Sequence, residues 1–583
     1  MSPSNIINSS VTEEHVAKKL KTSSYSPSST VDNKQEHIFT KGLFDIESKT
    51  SLCRAVEASL PYKHCKIDQL VNDTLLRQAR KEILENIQFT TKETDIYKVN
   101  QTGDLANMDG LPQDEKDRLA HLFTLREGIY SQVFRDFISE VTQCGPLSAR
   151  KMDMSVNIYN QGCHLLNHDD VIGDRCVSFI LYMPDPDDDN MWQPEYGGAL
   201  ELYGLAQNEQ QQYSDGGKPA NEPMVSLLPQ WNQFAFFMVL PGHSFHAVQE
   251  VVPKGKSRLS IQGWFHYPQE GEPGYDPTVL QNLMTKKSSL EQLLMDVQEE
   301  FQPYEKIYEL VNELKEDDIK NLSQWMNEKY LNLENLQELA DQFIEKSSLQ
   351  LQLFIQPSLY QTIAAAILKA DEQDDYLRPI LPPHGSGLRG SWYVRGSPLS
   401  QRYLKLDRTT IQLNDDDPTS SLFHQLLNCF ESLSFRKWLT LVSQLVLKKY
   451  RSQARRFRPG LDYTLATIPL QQQQSILDVT LSFISQPNSN DNNDNNKLLW
   501  QQGDVGGYLC YMACDDDNDE ASIYRSSEQD GALLMLPCQD NELSIVLRDE
   551  GVMKFVKYVS ANAIGSRWDL SLEFETLEEN EEK

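Results

Sequence analysis

The chain has 583 residues and a formal net charge of −31, from 54 basic and 85 acidic side chains. Its 39% hydrophobic and 9% aromatic content supports more than one core at roughly 100–200 residues per domain. No run approaches the roughly 18–20 apolar residues of a membrane span, the acidic balance disfavours bare nucleic acid, and 9 scattered cysteines without a CxxC pair argue against thiolate metal sites or a disulfide framework.

The opening MSPSNIINSS has no apolar stretch, so no secretory signal is expected. Residues 1–40 are rich in Ser, Thr, Asn and Lys and read as a disordered tail. Lys18, Lys19 and Lys21 form a candidate nuclear import cluster. Residues 61–90 read as a strand followed by a helix, LLRQARKEILENI. Helical spacing returns at 117–143 through Leu119, Leu122, Phe123, Ile129, Val133, Phe134 and Phe137. From about 151 the pattern becomes short strands, MSVNIY, CVSFILYM, GALELYG, PMVSLLP, NQFAFFMVL and RLSIQGWFH, separated by turn residues. Helix is expected again over 287–370 and 421–450, and the polar PNSNDNNDNNK at 487–497 reads as a disordered loop. Strands resume in GYLCYMA, GALLMLP, LSIVLRD, FVKYV and WDLSLEFE.

The two strand-rich regions resemble each other. YGGALELYG at 196–204 answers VGGYLCYMA at 505–513, and SRLSIQGWF at 257–265 answers SRWDLSLEF at 566–574, in the same order. The expected fold is mainly β with flanking helices, built as two tandem double-stranded β-helix (jelly-roll) domains.

The chemistry concentrates in NIYNQGCHLLNHDDVIGDRCVSFILYM. In an extended chain residues i and i+2 share a face, so His168 and Asp170 can reach one ion while Asp169 points away. His246, in SFHAVQEV, is the candidate third ligand. Two imidazoles and one carboxylate leave positions open, which suits non-haem iron(II); a structural zinc site would be filled by protein ligands. Arg258 and Ser260 share the face of the following strand, where a guanidinium fork and a hydroxyl suit the distal carboxylate of 2-oxoglutarate. Tyr159 offers a further hydroxyl, although pattern alone makes Tyr159 and Tyr182 core residues. His164 stands in HxxxH spacing with His168 but runs into a strand rather than a zinc-binding helix. His243 reads as a turn or supporting group, His266 as packed or at a rim, and Trp264 as core.

At these residues the sequence resembles the ribosomal prolyl hydroxylases. These are two-domain iron(II) and 2-oxoglutarate dioxygenases of fungi and animals, among them a yeast translation-termination-associated hydroxylase and a fission-yeast sterol-regulator hydroxylase. The resemblance runs from about 60 to the C-terminus. It is strongest in DIYKVNQTGDL at 95–105, HDDVIGDRCVSFILYM at 168–183, YGGALELY at 196–203 and SRLSIQGWFH at 257–266. It implies iron ligands at His168, Asp170 and His246, and 2-oxoglutarate contacts at Arg258, Tyr159, Tyr182 and Ser260. Fe(2+), 2-oxoglutarate and O2 are the implied cofactors, with L-ascorbate as reductant. It further implies a catalytic jelly roll over 41–270, with DIYKVNQTGDL as a lid. A helical connector and a degenerate, non-catalytic jelly roll would occupy 271–583, since LATIPLQQQQ supplies no His or Asp where ligands are expected. The implied substrate is a proline of the basic small-subunit ribosomal protein at the decoding centre, modified at the 3-position or at both 3 and 4. Translation-termination factors or a transcription regulator are the implied further partners, and nucleus and cytoplasm the location. The alternative is an oxygen-responsive binding regulator of a transcription factor on the same fold. Action on nucleic acid is opposed by the charge.

Overall fold

The computed structural model describes residues 37–188, 191–206, 217–284, 299–306, 313–411, 417–466, 474–485, 493–513 and 532–577. The lysine cluster at 18–21 and the LATIPLQQQQ segment from 467 to 473 lie outside them. No helix among the described residues is long and apolar enough to cross a membrane.

The first half opens with helices α1 (Ile46–Ala58) and α2 (Asp73–Asn86) around strand β1 (His64–Ile67). Strands β2 (Thr90–Glu93) and β3 (Tyr97–Gln101) form a hairpin, followed by α3 (Gln113–Arg118), α4 (Ala120–Ile129) and α5 (Gln132–Thr142). Strands β4 (Asp153–Tyr159), β5 (His164–His168), β6 (Arg175–Tyr182), β7 (Leu200–Leu202), β8 (Val225–Leu227), β9 (Phe234–Met238), β10 (His246–Val248) and β11 (Arg258–His266) complete it. These strands form one antiparallel sheet in the order β1-β9-β6-β11-β4-β3-β5-β10-β7-β8, with β2 on β3. The sheet curls, so its two ends face each other as in a jelly roll.

Burial explains the strand sequences. CVSFILY in β6 and FAFFM in β9 are apolar almost throughout because helices cover one face and the barrel interior the other. Helix α5 starts where the Ser131 hydroxyl accepts the Phe134 N–H and ends at Gln143, whose φ is 58°. Its stripe of Phe134, Phe137, Ile138 and Val141 is buried, and the Phe134 ring packs edge-on to Phe234 at 5.7 Å. Along β11 the alternation is kept: Leu259, Ile261 and Phe265 join the helix-side core. Arg258, Ser260 and Trp264 therefore share the opposite face.

The second half carries strands β12 (Gln302–Pro303), β13 (Ser348–Gln352), β14 (Trp392–Arg395), β15 (Gln401–Leu406), β16 (Leu447–Phe457), β17 (Tyr463–Thr464), β18 (Ile476–Ile484), β19 (Leu509–Ala513), β20 (Ala532–Leu536), β21 (Glu542–Arg548), β22 (Val552–Val556) and β23 (Arg567–Thr576). Its larger sheet runs β13-β21-β18-β23-β16-β15-β14, and a smaller one β20-β19-β22. The segment β21-β18-β23-β16-β15 repeats the order β9-β6-β11-β4-β3. The glycine pairs repeat as well. A Cβ at Gly197 would lie 1.9 Å from the Glu250 carbonyl oxygen, and one at Gly506 would lie 1.9 Å from that of Tyr558. Both glycines sit at positive φ, so no other residue fits either place.

Three expectations are corrected. Helical spacing over 421–450 holds for Pro418–Phe430 and Leu433–Ser443, but β16 begins at Leu447 because it pairs along its length with β23. Strand β13 interrupts the helices expected over 287–370, paired with β21. The polar run at 487–497 is not all loop, since Asn493 opens a helix to Gln502; residues 486–492 are not described.

The halves meet through buried polar contacts. Lys557 reaches the Thr94 carbonyl and Glu93 at 3.2 Å, and Glu250 accepts from the Ala561 N–H at 2.6 Å and from Asn562 at 3.0 Å. His384 Nε2 meets Glu201 at 2.8 Å, and the His164 ring lies 4.2 Å from Tyr558. Burial keeps the His164 imidazole neutral and, with the nearby Lys557 charge, pushes its pKa down to about 3 from an ordinary 6.5. Below that ordinary value the unfolded chain takes up a proton that the folded chain refuses until about 3. Stability is therefore lost as the pH falls through this window, by at most about 1.4 kcal/mol per pH unit. Between about pH 6 and pH 4 the Tm of the wild type is expected to fall more steeply than that of His164→Phe; parallel curves would refute the assignment.

Candidate active site

Strand β5 ends on His168, and β10 begins on His246 directly opposite it. Their rings lie 4.1 Å apart. Each ring donates its Nδ1–H to a carbonyl two residues earlier, His168 to Leu166 and His246 to Ser244, both at 2.9 Å. That bond fixes each tautomer and leaves the Nε2 lone pair free for a metal. Asp170 completes the group: Oδ1 is 3.2 Å from His168 Nε2 and Oδ2 is 3.4 Å from His246 Nε2. The three ligand atoms lie within 4.8 Å of one another, and no other such group occurs among the described residues.

The structure does bring His168 and Asp170 together, by a route other than the one the sequence argument used. Asp170 is not in an extended strand but in the left-handed region at φ 60°. A turn after β5, rather than strand alternation, swings its carboxylate back onto His168. Asp169 does point away, as expected. It accepts N–H groups from Val171 at 3.3 Å and Gly242 at 3.2 Å, and its carbonyl accepts from Ser244. It thereby ties the β5 turn to the loop that leads into His246.

Burial opposes a charge on Asp170, yet the imidazoles of His246 and His168 hold its carboxyl well below the usual range. Burial also works against protonation of His168, but the Asp170 carboxylate raises its pKa. Two groups missed in the sequence hold the carboxylate. Ser178 Oγ donates to Asp170 Oδ2 at 3.0 Å and the Trp264 indole N–H donates at 3.1 Å. Trp264 is thus more than core. Its parity with Arg258 and Ser260 on β11 was the available signal, and Ser178 was a lone polar residue within an apolar strand.

Arg258 is 2% exposed. Its guanidinium lies against the Tyr159 and Tyr182 rings at 4.7 and 4.9 Å, and Nη1 reaches Ser260 Oγ at 3.4 Å. Among the described residues Nε and Nη2 have no acceptor within hydrogen-bond geometry, and the Tyr182 hydroxyl has no hydrogen-bonding neighbour but Arg258 itself. A buried cation without an anion is costly, so this corner fits an exchangeable carboxylate. Burial pushes the Tyr159 hydroxyl up to about 12, against the Arg258 charge, leaving it a neutral hydrogen-bonding group. The four residues read as 2-oxoglutarate contacts thus come together, and the Asp170 charge reaches Tyr159 from the metal-competent trio. The donor set suits iron(II), with the His168 side chain 21% exposed as the open side.

Other expectations resolve in both directions. DIYKVNQTGDL is not a loose lid, because β3 is paired with β4 and β5. His266 is packed, as expected, buried on Asp174 at 3.0 Å and outside the site. A cavity of about 300 Å³ between the halves, lined by Asn167, Glu201, His384 and Arg402 among others, does not include the trio.

Residues 154–266, which contain the whole constellation, match the 2OG-Fe(II) oxygenase superfamily. Residues 317–583 match a family described as oxoglutarate and iron-dependent oxygenase degradation C-term. Fold and site therefore define a dioxygenase dependent on 2-oxoglutarate and iron(II). Prolyl 3,4-dihydroxylase OGFOD1 of Ostreococcus tauri is 36% identical over 88% of this chain and 95% of its own length. Prolyl 3-hydroxylase OGFOD1 of Xenopus laevis is 30% identical over 53% of this chain and 50% of its own. A Pseudomonas putida prolyl-4-hydroxylase structure aligns with 37% of this chain and 98% of its own at 20% identity, with a TM-score of 0.24. The chain belongs to the OGFOD1 family of prolyl hydroxylases.

Removing one hydrogen bond to a ligand typically weakens metal binding by about 10–100-fold. Trp264→Phe and Ser178→Ala are each expected to lower Mn2+ affinity by that factor without unfolding the chain, as read by titration; unchanged affinity in both would show that the two donors do not position Asp170.

Proposed function

We propose that the chain hydroxylates a proline in a basic protein, using iron(II) on His168, Asp170 and His246 and 2-oxoglutarate on Arg258. The observation that carries this is the pair of unpartnered nitrogens on buried Arg258, beside three side chains able to hold one ion. Its far carboxylate is received by the Arg258 fork, with Ser260, Tyr159 and Tyr182 as neighbouring hydroxyls. Ser178 and Trp264 hold Asp170 in its ligand pose. Val99, Ile180, Leu200, Leu202 and Phe237 keep the interior apolar, which excludes water. Iron(II) and 2-oxoglutarate, when bound, would supply the oxidising chemistry: 2-oxoglutarate loses CO2 to become succinate, and one oxygen atom of O2 goes to succinate and the other to the prolyl product. No side chain has to act as nucleophile or general base.

The finer reading is a proline of the small-subunit ribosomal protein at the decoding centre, with an effect on translation termination. A net charge of −31 suits a basic partner. The relatives' names, which specify 3-hydroxylation or 3,4-dihydroxylation, support hydroxylation over the binding-regulator alternative. L-ascorbate as reductant and action in nucleus and cytoplasm belong to the same proposal. We also read 41–270 as the catalytic domain and 271–583 as a helical connector with a diverged, non-catalytic copy, on the repeated strand order and glycine pairs.

His168→Ala and Asp170→Ala are expected to abolish succinate formation coupled to peptide. Arg258→Ala should weaken 2-oxoglutarate binding by about 100-fold or more, the loss of a charge-assisted pair. Turnover retained in His168→Ala refutes the metal assignment. Mass spectrometry of the ribosomal protein from cells lacking this chain tests the substrate: loss of one or two oxygen atoms from a single proline is expected, and an unchanged protein refutes it.

A further inference from the structure

We propose that the second half preserves the outline of the metal centre with chain-borne substitutes in it, Lys554 in place of the metal–histidine unit and Asp569 in place of the cosubstrate carboxylate; this rests on the reading of the first site given above.

Strand register supplies the correspondence. Arg258 faces Tyr159 across β4, and Arg567 faces Phe457 across β16. Two residues on, Ser260 lies opposite Tyr182 and Asp569 opposite Ser482. Further along the same strands Trp264 lies opposite Ser178, and Glu573 opposite Asp478. On the strands across the barrel Leu200 pairs with Val248 and Leu202 with His246, while Leu509 pairs with Val556 and Tyr511 with Lys554. The close approaches of Gly197 to Glu250 and of Gly506 to Tyr558 give the same alignment independently, since Glu250 follows His246 by as many residues as Tyr558 follows Lys554.

Lys554 therefore stands where His246 stands. Its ammonium lies 3.3 Å from Asp478 and 3.9 Å from Glu573. Those carboxylates occupy the positions of Ser178 and Trp264, the two groups that hold Asp170 in the first half. Arg548 adds a second cation 2.9 Å from Asp478. At the other end, the Arg567 fork that corresponds to the open fork of Arg258 is closed by Asp569, at 3.0 and 2.8 Å. Asp569 also receives Arg455, at 2.7 and 2.9 Å. The hydroxyl of Tyr159 has no counterpart on Phe457.

Buried charges have to be neutralised wherever they sit. The first half leaves that to a metal and a dicarboxylate drawn from solvent; the second neutralises itself with covalently attached groups. It is therefore complete without cofactors and does not respond to their supply. Strand β22 carries this built-in cation and leads straight into Lys557, which grips Glu93 and Thr94 of the β2–β3 turn. The copy thus serves as a permanently filled scaffold that fixes the hairpin beside β5.

Counting Mn2+ bound to the full chain in the presence of 2-oxoglutarate, by electron paramagnetic resonance, tests this. One ion per chain is expected in the wild type and none at comparable affinity in His246→Ala. A second wild-type ion, or an ion retained by His246→Ala, overturns the proposal; no ion in the wild type would instead overturn the reading of the first site. Lys554→Ala is expected to lower the Tm by on the order of 10 °C. Added ethylammonium should restore part of that loss saturably, with no such effect on the wild type. An unchanged Tm, or an equal ethylammonium response in both proteins, overturns the proposal, and should the variant fail to fold the ion count still decides.

Discussion

A guanidinium sealed inside a barrel with two nitrogens unmatched is the constraint around which the rest of the structure is arranged. Burial strips most of the water from the Arg258 guanidinium. In the proposed reading, the apolar interior makes the site selective for a small anion that fits between two tyrosine rings. It also makes the site depend on that anion's arrival. The side chains that gather around His168 follow the same logic with opposite sign: a carboxylate inside the barrel is tolerated because imidazoles and two hydrogen-bond donors surround it. Positive and negative corners of one site are left to be joined by what binds there.

The two halves of the chain share a plan but divide its consequences. One keeps its corners open, and the other has closed them with its own residues. Contact between them joins apolar clusters, such as Leu166 with Tyr463, Leu465 and Tyr558, to charged and polar groups with few alternatives: Lys557 on a backbone carbonyl, Glu250 on backbone and amide donors, and His384 on Glu201. Buried polar contacts of this kind are costly to break singly and so fix one mutual orientation. The β2–β3 hairpin, whose second strand lies in the segment 95–105 read from the sequence as a lid, is held at its turn by the far half and along β3 by the sheet.

Much of the site was legible because it obeys short-range rules. His168-Asp169-Asp170 stood out as a ligand pair, and Arg258 and Ser260 as a pair on one strand face, since alternation in β11 survives folding intact. What escaped needed long-range information. Ser178 lies on β6 and Trp264 on β11, and only their pairing in the sheet brings both to Asp170. The positive φ at Asp170 left no mark in composition, because aspartate is also ordinary in turns and loops. In the second half the helical reading of 421–450 ran into the start of β16, Leu447 to Tyr450, where pairing with β23 decides the matter. The repeated glycine pairs, by contrast, were visible at once and mark the closest backbone approaches in both halves.

The left-handed backbone at position 170 filters substitution twice over. That conformation is tolerated chiefly by glycine, asparagine and aspartate, and only the last of these brings an anionic oxygen. Asparagine would keep the bend and forfeit the charge; glutamate would keep the charge, resist the bend and overreach by a methylene. Steric preference and electrostatic demand thus intersect at a single amino acid, so drift at this codon has nowhere neutral to go.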